Sequence, residues 1–225
     1  DRPIWRFGAD ELMLKKQGDG SRPPSRARVL IVGLIGNVME WYDFALYGYF
    51  ATIIGHQFFP SSNPTASLIG AFGAFAAGFI VRPLGGIVYG RIGDLVGRRR
   101  ALSLSVIAMA IPTVAMAFLP THAQIGIAAP IAVVLLRLLQ GVSAGGEYTT
   151  SIIFLAEAAP DRQRGFYSIW GLWGSVLGML MGSAFGDLLT RTLTQTQLDA
   201  WGWRVAFALG SLVALSGVII RQGVG

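Results

Sequence analysis

The pattern of apolar and polar positions divides the chain into long apolar segments joined by short polar ones. About 20 apolar residues cross the ~30 Å hydrocarbon core of a bilayer, and these segments reach that length. The pattern predicts an all-α fold of six membrane-spanning helices, over residues 29–50, 67–89, 101–119, 127–156, 167–189 and 203–220. We expect residues 1–28 to form a mobile tail. Residues 221–225 are expected to be the truncated start of a central loop.

The composition also indicates a membrane protein. Hydrophobic residues make up 53% of the 225 residues, charged residues make up 13%, and there are 30 glycines. The absence of cysteine excludes a disulfide framework, a thiolate metal site and a cysteine nucleophile. Two histidines without cysteine form no zinc constellation, so the sequence predicts no metal site.

The net charge of +6 raises the question of a nucleic-acid partner. The basic residues lie in short clusters between the apolar segments, which is typical of cytoplasmic loops. Seven of the 18 Lys and Arg lie in residues 1–28, four in 91–100, two in 157–167 and one at Arg221. We therefore predict that the protein has no nucleic-acid partner and that membrane lipid surrounds it.

The same bias predicts the orientation of the chain. On the opposite side from the basic clusters, the only Lys or Arg residues are Arg191 and Arg204, the latter at the outer end of the sixth span. We expect a multi-pass protein of the cell (inner or plasma) membrane, with both termini in the cytoplasm. The predicted exterior segments are residues 51–66, 120–126 and 190–202.

The first span carries one polar stripe. At 100° per residue its four members fall within about 120° of one another; they are Asn37, Glu40, Asp43 and Tyr47. A carboxylate at the centre of the bilayer costs roughly 3 kcal/mol, so the stripe should face a bundle interior or a wet cavity. Two interpretations remain open for the acids, namely proton or substrate handling and a structural ion pair that fixes helix packing.

Other spans also carry charges. Arg82 lies in the second span, and Arg137 and Glu147 lie in the fourth. Counted along their spans, Asp43 and Arg137 lie at a similar depth in the bilayer. We therefore predict that they pair, with Glu40 as the competing partner of Arg137. For Arg82 and Glu147 a structural ion pair is the favoured interpretation, ahead of a role in the proton or substrate cavity.

Glycines recur at every fourth position of the fifth span. This spacing places a smooth groove along one helix face, against which another helix can lie closely. The residues are Gly174, Gly178, Gly182 and Gly186, and we assign them to helix packing.

The loop after the second span reads GRIGDLVGRRR over residues 90–100. It resembles the signature loop of the major facilitator superfamily, G-x-L-x-D-R/K-x-G-R-R/K. The matching residues are Gly90, Asp94, Gly97 and Arg98, and Leu95 stands where the pattern usually has a basic residue. The resemblance implies ion pairs that latch one conformation. The simpler interpretation is a basic stop signal on the cytoplasmic side.

Further stretches narrow the resemblance. Residues 137–141, RLLQG, are similar to the superfamily's second motif, in which the arginine is linked to proton coupling. Residues 36–51, 82–86 and 140–148 resemble the metabolite:proton symporter family, which carries osmolytes or organic acids. The resemblance covers residues 29 to about 220. It implies the amino-terminal half of a twelve-span transporter, a small-molecule substrate, the missing carboxy-terminal half as partner, and a proton as coupling ion without a cofactor.

The arrangement of charges supports an inverted repeat of three and three spans. Spans one and four carry acids, whereas spans three and six carry no internal charge. The predicted function is proton-coupled symport by alternating access. The alternative is a non-transporting scaffold or inactive fragment, and a channel is disfavoured because nothing resembles a repeated filter or a ring of like charges.

One motif points to an enzyme. Residues 141–145 spell G-x-S-x-G, but a nucleophile elbow needs a strand-turn-helix context and a histidine base. Both histidines, His56 and His122, fall in predicted exterior segments. We therefore predict that the protein is not an enzyme.

Overall fold

The structure is a computed structural model, and it describes residues 26–160 and 162–210. Every regular element in these residues is helical: α1 (Arg26–Tyr49), α2 (Ala51–Phe58), α3 (Pro64–Ile80), α4 (Arg82–Val96), α5 (Arg98–Phe118), α6 (His122–Ile125), α7 (Ala128–Ala158), α8 (Arg164–Thr192), α9 (Gln195–Gln197), a π-helical turn (Leu198–Gly202) and α10 (203–210). The predicted all-α fold class is confirmed. Residues 1–25 of the predicted tail, residues 211–220 of the sixth span and residues 221–225 lie outside the described residues.

Five segments of the described chain are long and apolar enough to cross a membrane. They are Val29–Tyr49, Pro64–Val96, Arg100–Phe118, Ala128–Ala158 and Arg164–Thr192. Each contains or closely matches one of the first five predicted spans. Their outward faces expose large apolar side chains, as expected where the surroundings are hydrocarbon rather than water.

The second span differs from the single helix expected over residues 67–89. It consists of α3 and α4, which meet at Val81. Pro83 is the cause, because proline lacks a backbone N–H and is tolerated only in the first turn of a helix. The break therefore places Arg82 at the start of a new helix in the middle of the Pro64–Val96 span.

The segment 51–66, predicted to be an exterior loop, is also more ordered than a loop. The chain turns at Phe50 and continues as α2, because Ile54 and Phe58 lie four residues apart on one face and are fully buried. Asn63 then begins α3, and its Oδ1 accepts a hydrogen bond of 2.9 Å from the N–H of Thr65. The segment 190–202 is likewise mostly helical, in the end of α8, α9 and the π-helical turn.

Helix α7 lies at the centre of the bundle and contacts α1, α3, α4, α5 and α8. Small residues allow its backbone to touch the two helices of the second span. A Cβ on Gly141 would collide with the carbonyl oxygen of Gly78, and one on Gly145 would collide with that of Arg82. The first and fourth spans therefore both face the break at Val81.

The glycine face of α8 lies against α1. A Cβ on Gly174 would come within 2.9 Å of the Leu34 carbonyl oxygen, and one on Gly182 within 2.7 Å of the Tyr42 carbonyl oxygen. Cβ atoms on the other two positions of the series, Gly178 and Gly186, would meet the Val38 carbonyl oxygen and the Tyr49 ring. Close approach of two backbones requires glycine here.

Candidate functional site

The polar stripe of α1 faces the interior of the bundle. Its members Asn37, Glu40, Asp43 and Tyr47 are all buried. Helix α8 covers one side of α1 through its glycine face, and α7 packs against α1 from another side. The tertiary packing thus places two carboxylates inside a membrane-spanning bundle.

Asp43 and Arg137 form a buried ion pair between α1 and α7. Arg137 Nη1 donates to Asp43 Oδ2 at 2.7 Å, and both side chains are 1% exposed. The Arg137 guanidinium lies over the ring of Tyr47, with 4.0 Å from Cζ to the ring centroid. The Tyr47 hydroxyl donates to the carbonyl oxygen of Ala71 at 2.9 Å, which fixes the ring beneath the guanidinium.

The pair is incompletely hydrogen-bonded. Asp43 Oδ1 and the Nε and Nη2 atoms of Arg137 have no hydrogen-bond partner among the described residues. Buried polar atoms are usually satisfied, so these atoms mark a place for a proton, a water molecule or a polar solute.

Glu40 pairs with Arg82 rather than with Arg137. Glu40 Oε1 lies 2.8 Å from Arg82 Nη2, and the two side chains are 1% and 21% exposed. The break between α3 and α4 directs Arg82 to this position from the second span. Two ion pairs therefore lie one turn apart on α1, and Arg82 is the one member of the four that is partly exposed.

The remaining polar residues connect α7 with its neighbours. Asn37 Nδ2 donates to Ser151 Oγ at 2.9 Å, and the Ser105 hydroxyl donates to Glu147 Oε2. Glu147 lies on the α5-facing side of α7, so its contact with Ser105 reaches a span with no internal charge.

The sequence analysis did not identify Gln140, a buried polar residue of α7. Gln140 Nε2 donates to Thr113 Oγ1 at 2.9 Å. Gln140 stands three residues after Arg137, on the same helix face, and that spacing could have identified it. Thr113 and Ser105 are single hydroxyl residues in an apolar helix and carried no such signal.

The loop predicted to act as a latch lies at the turn between α4 and α5. Gly97 ends α4 with a φ of 97°, a left-handed conformation that favours glycine. A Cβ on Gly90 would meet nothing within 4 Å. Asp94 is exposed in the last turn of α4, and the side chain of Arg98 lies outside the described residues. The latch stays a prediction.

The three predicted exterior segments lie together. They surround a cavity of about 590 Å³ lined by His56 and Gln57 from α2, His122 from α6, Gln195 from α9 and Asp199 from the π-helical turn, among others. Gln57 Nε2 also donates to the Asp199 carbonyl oxygen. Within residues 26–160 and 162–210, no three His, Asp or Glu side chains are placed to hold a metal ion.

Comparisons with known proteins agree with this architecture. The family model described as "Sugar (and other) transporter" matches residues 29–222. The glycine betaine/proline/ectoine/pipecolic acid transporter OusA of Dickeya dadantii is 39% identical over 195 residues, which are 87% of this chain and 39% of that protein. The alpha-ketoglutarate permease of Escherichia coli is 40% identical over 187 residues, 83% of this chain and 43% of that protein.

The shikimate transporter of Escherichia coli is 36% identical over 94% of this chain and 49% of that protein. Among solved structures, the major facilitator superfamily proton:xylose symporter XylE bound to 6-bromo-6-deoxy-D-glucose matches with a TM-score of 0.79 at 20% identity. That match covers 87% of this chain and 44% of the symporter. The chain thus spans less than half the length of these relatives.

Proposed function

Because the chain belongs to the Sugar (and other) transporter family of the major facilitator superfamily, we propose that it is the amino-terminal half of a proton-coupled transporter. The family comprises transporters and not enzymes. The cargo is a small polar metabolite, either an organic acid or a zwitterionic osmolyte, in keeping with the solutes named for the relatives. No cofactor enters the cycle, since the proton is the coupling ion.

The observation that carries the proposal is the Asp43–Arg137 ion pair. It joins the first and fourth spans, which are the first members of the two proposed three-helix repeats. Transporters built from such repeats bind substrate and coupling ion near the midplane of the bilayer. A charge there is costly, so its presence inside a membrane span is a functional hypothesis by default.

The pair supplies a mechanism for coupling. Protonation of Asp43 neutralises its carboxylate and removes the partner of Arg137. The buried guanidinium is then unpaired, and binding of another anion would stabilise it. A carboxylate on the substrate can take that place, so proton and substrate binding favour each other. Loss of the proton restores the ion pair and expels the solute, which is the thermodynamic requirement for symport.

Alternating access requires two arrangements of the bundle with a latch at one face. We assign the latch to the loop containing Asp94 and Arg98, on the cytoplasmic side. The proposed orientation has both termini in the cytoplasm, and the proposed location is the inner or plasma membrane. The orientation is supported by the excess of basic residues in the segments assigned to the cytoplasm. The second half of the pathway is supplied by a carboxy-terminal six-span bundle.

The second candidate is a non-transporting membrane scaffold, in which the buried ion pairs serve only to fix helix packing. One experiment separates the two. The complete transporter and the isolated 225 residues are reconstituted in liposomes with an inward proton gradient. Labelled proline, glycine betaine, alpha-ketoglutarate and shikimate are then offered. The proposal predicts gradient-driven uptake by the complete protein and none by the isolated chain. No uptake of any solute by the complete protein would favour the scaffold.

A further inference from the structure

The Arg82 side chain lies in a box of aromatic rings. Its Cζ is 4.0 Å from the centroid of the Phe79 ring, 4.6 Å from that of Phe44 and 5.8 Å from that of Trp41. Rings from two helices, α1 and α3, thus face one cation. Three rings around one positive charge resemble the cages that recognise quaternary ammonium groups.

A carboxylate closes the box. Glu40 is buried, and its Oε1 lies 2.8 Å from Arg82 Nη2. Neither carboxylate oxygen of Glu40 has a hydrogen-bond partner among the described residues, and the same holds for Trp41 Nε1 and for Nε and Nη2 of Arg82. Five buried polar atoms at one place therefore lack the hydrogen bonds that a bound solute could make.

We propose that Glu40, Trp41, Phe44 and Phe79 form a binding site for the methylated ammonium group of a zwitterionic substrate, and that Arg82 occupies this site when substrate is absent. This inference rests on the proposed transport function and names the substrate class. We call these four residues the cation box.

Charge balance supports an exchange of partners. When a zwitterion enters, its ammonium group replaces the guanidinium in the cation box, beside Glu40. The carboxylate of the same molecule is then shared by the displaced Arg82 and by Arg137, which protonated Asp43 has released. Each buried charge keeps one opposite partner throughout, so no step leaves an isolated charge in the low-dielectric interior.

A dicarboxylate does not fit this exchange. A dicarboxylate could bind Arg82 and draw the guanidinium away from Glu40. It carries no cation to replace the guanidinium, so Glu40 would remain as an unpaired buried carboxylate. The cation box therefore selects for solutes that carry both charges. Methyl groups on the nitrogen strengthen the selection, because a methylated ammonium loses less hydration when it enters an aromatic cage.

The cation box is placed where a solute can reach it. Glu40 lies near the middle of the Val29–Tyr49 span and Arg82 near the middle of the Pro64–Val96 span. Arg82 is 21% exposed and Phe79 is 36% exposed, so the box opens at the surface of this half-bundle. In the proposed complete transporter, the substrate site lies at mid-membrane depth between repeated bundles.

The test uses the complete transporter in proteoliposomes and a series of probes that differ only in methylation: glycine, N-methylglycine, N,N-dimethylglycine and glycine betaine. Succinate serves as the dicarboxylate. The cation box predicts that affinity rises with each methyl group and that succinate binds weakly. Phe79→Leu and Trp41→Leu should each weaken glycine betaine binding about tenfold and flatten the methylation series.

Two variants keep the result interpretable. Phe79 is partly exposed, so its replacement is tolerated better than that of the more enclosed Trp41. Phe72→Leu is the matched control, because Phe72 lies on the same helix and is 46% exposed. We expect its glycine betaine affinity and its methylation series to equal those of the unaltered protein.

Several results overturn the cation box. These are a flat methylation series in the unaltered protein, succinate binding that exceeds glycine betaine binding, or a series that survives in both Phe79→Leu and Trp41→Leu. Proton-driven uptake of any solute in the same vesicles would leave the proposed transport function standing in each of these cases. Failure of all proton-driven uptake would count against that function as well.

Discussion

Arg137 Nη1 lies 2.7 Å from Asp43 Oδ2, and both side chains are buried between the first and fourth membrane-spanning helices. Ninety-four residues of sequence separate them. The contact can form only when the bundle is assembled, so it depends on the packing of α1 against α7. It is also a contact that one proton on Asp43 would break.

We predict that Arg137→Ala is strongly destabilising. It leaves Asp43 as a buried charge without its partner, and such losses cost about 3–5 kcal/mol. The thermal unfolding temperature of the purified transporter in detergent measures the effect. The double variant Asp43→Asn with Arg137→Ala removes the stranded charge and should recover part of the loss. Equal unfolding temperatures for the single and double variants would contradict the ion pair.

We predict that Gly178→Ala separates α8 from α1. A Cβ at this position collides with the carbonyl oxygen of Val38, and the backbone cannot yield as a flexible side chain can. Overpacking of this kind costs about 1–3 kcal/mol. Gly73→Ala is the control, because a Cβ there meets nothing within 4 Å. If the two variants unfold at the same temperature, the close approach of α8 to α1 is wrong.

In the loop proposed as a latch, residues 90–100, two glycines of one motif differ in their backbone conformation and surroundings. Gly97 has a φ of 97° and a ψ of 143°, a conformation that costs other residues about 1–3 kcal/mol. We expect Gly97→Ala to lower stability and transport, and Gly90→Ala to leave stability unchanged, since a Cβ at Gly90 meets nothing within 4 Å. Unfolding temperature and uptake rate measure both. A larger loss for Gly90→Ala would reverse our assignment.

The orientation can be tested by cysteine labelling, because these 225 residues contain no cysteine. We predict that Ser62→Cys reacts with a membrane-impermeant maleimide in intact cells. Arg100→Cys should react only after the membrane is permeabilised, since it belongs to a basic cluster that we propose to be cytoplasmic. Reaction of Arg100→Cys from outside intact cells would show that the termini are exterior.

The membrane-spanning segments could be predicted from the sequence more accurately than the break within the second span or the short helix α2 between spans. Hydropathy locates a span because the bilayer sets its length. The break at Val81 was readable from Arg82-Pro83, since proline disfavours a helical residue before it, but the apolar residues on both sides concealed it. The helix α2 was missed because eight residues are too few for a span, and its order comes from the burial of Ile54 and Phe58 in the bundle.

The polar stripe of α1 could be predicted, because a helix repeat fixes which residues share a face. Depth alone predicted the pairing of Asp43 with Arg137. The pairing of Glu40 with Arg82 was not predictable in this way, since it depends on how α3 and α4 turn at their junction. The aromatic surroundings of Arg82 come from two helices and were invisible in either one alone.

The most direct test of proton coupling is the variant Asp43→Asn in the complete transporter. The amide keeps the shape of the side chain but cannot take up and release the proton. Two activities are measured in the same proteoliposomes, with whichever solute the panel above identifies: accumulation driven by a proton gradient, and exchange of labelled for unlabelled solute without a gradient. We predict that Asp43→Asn abolishes accumulation and retains exchange. Normal accumulation by Asp43→Asn under a proton gradient would contradict the coupling role of the Asp43–Arg137 pair.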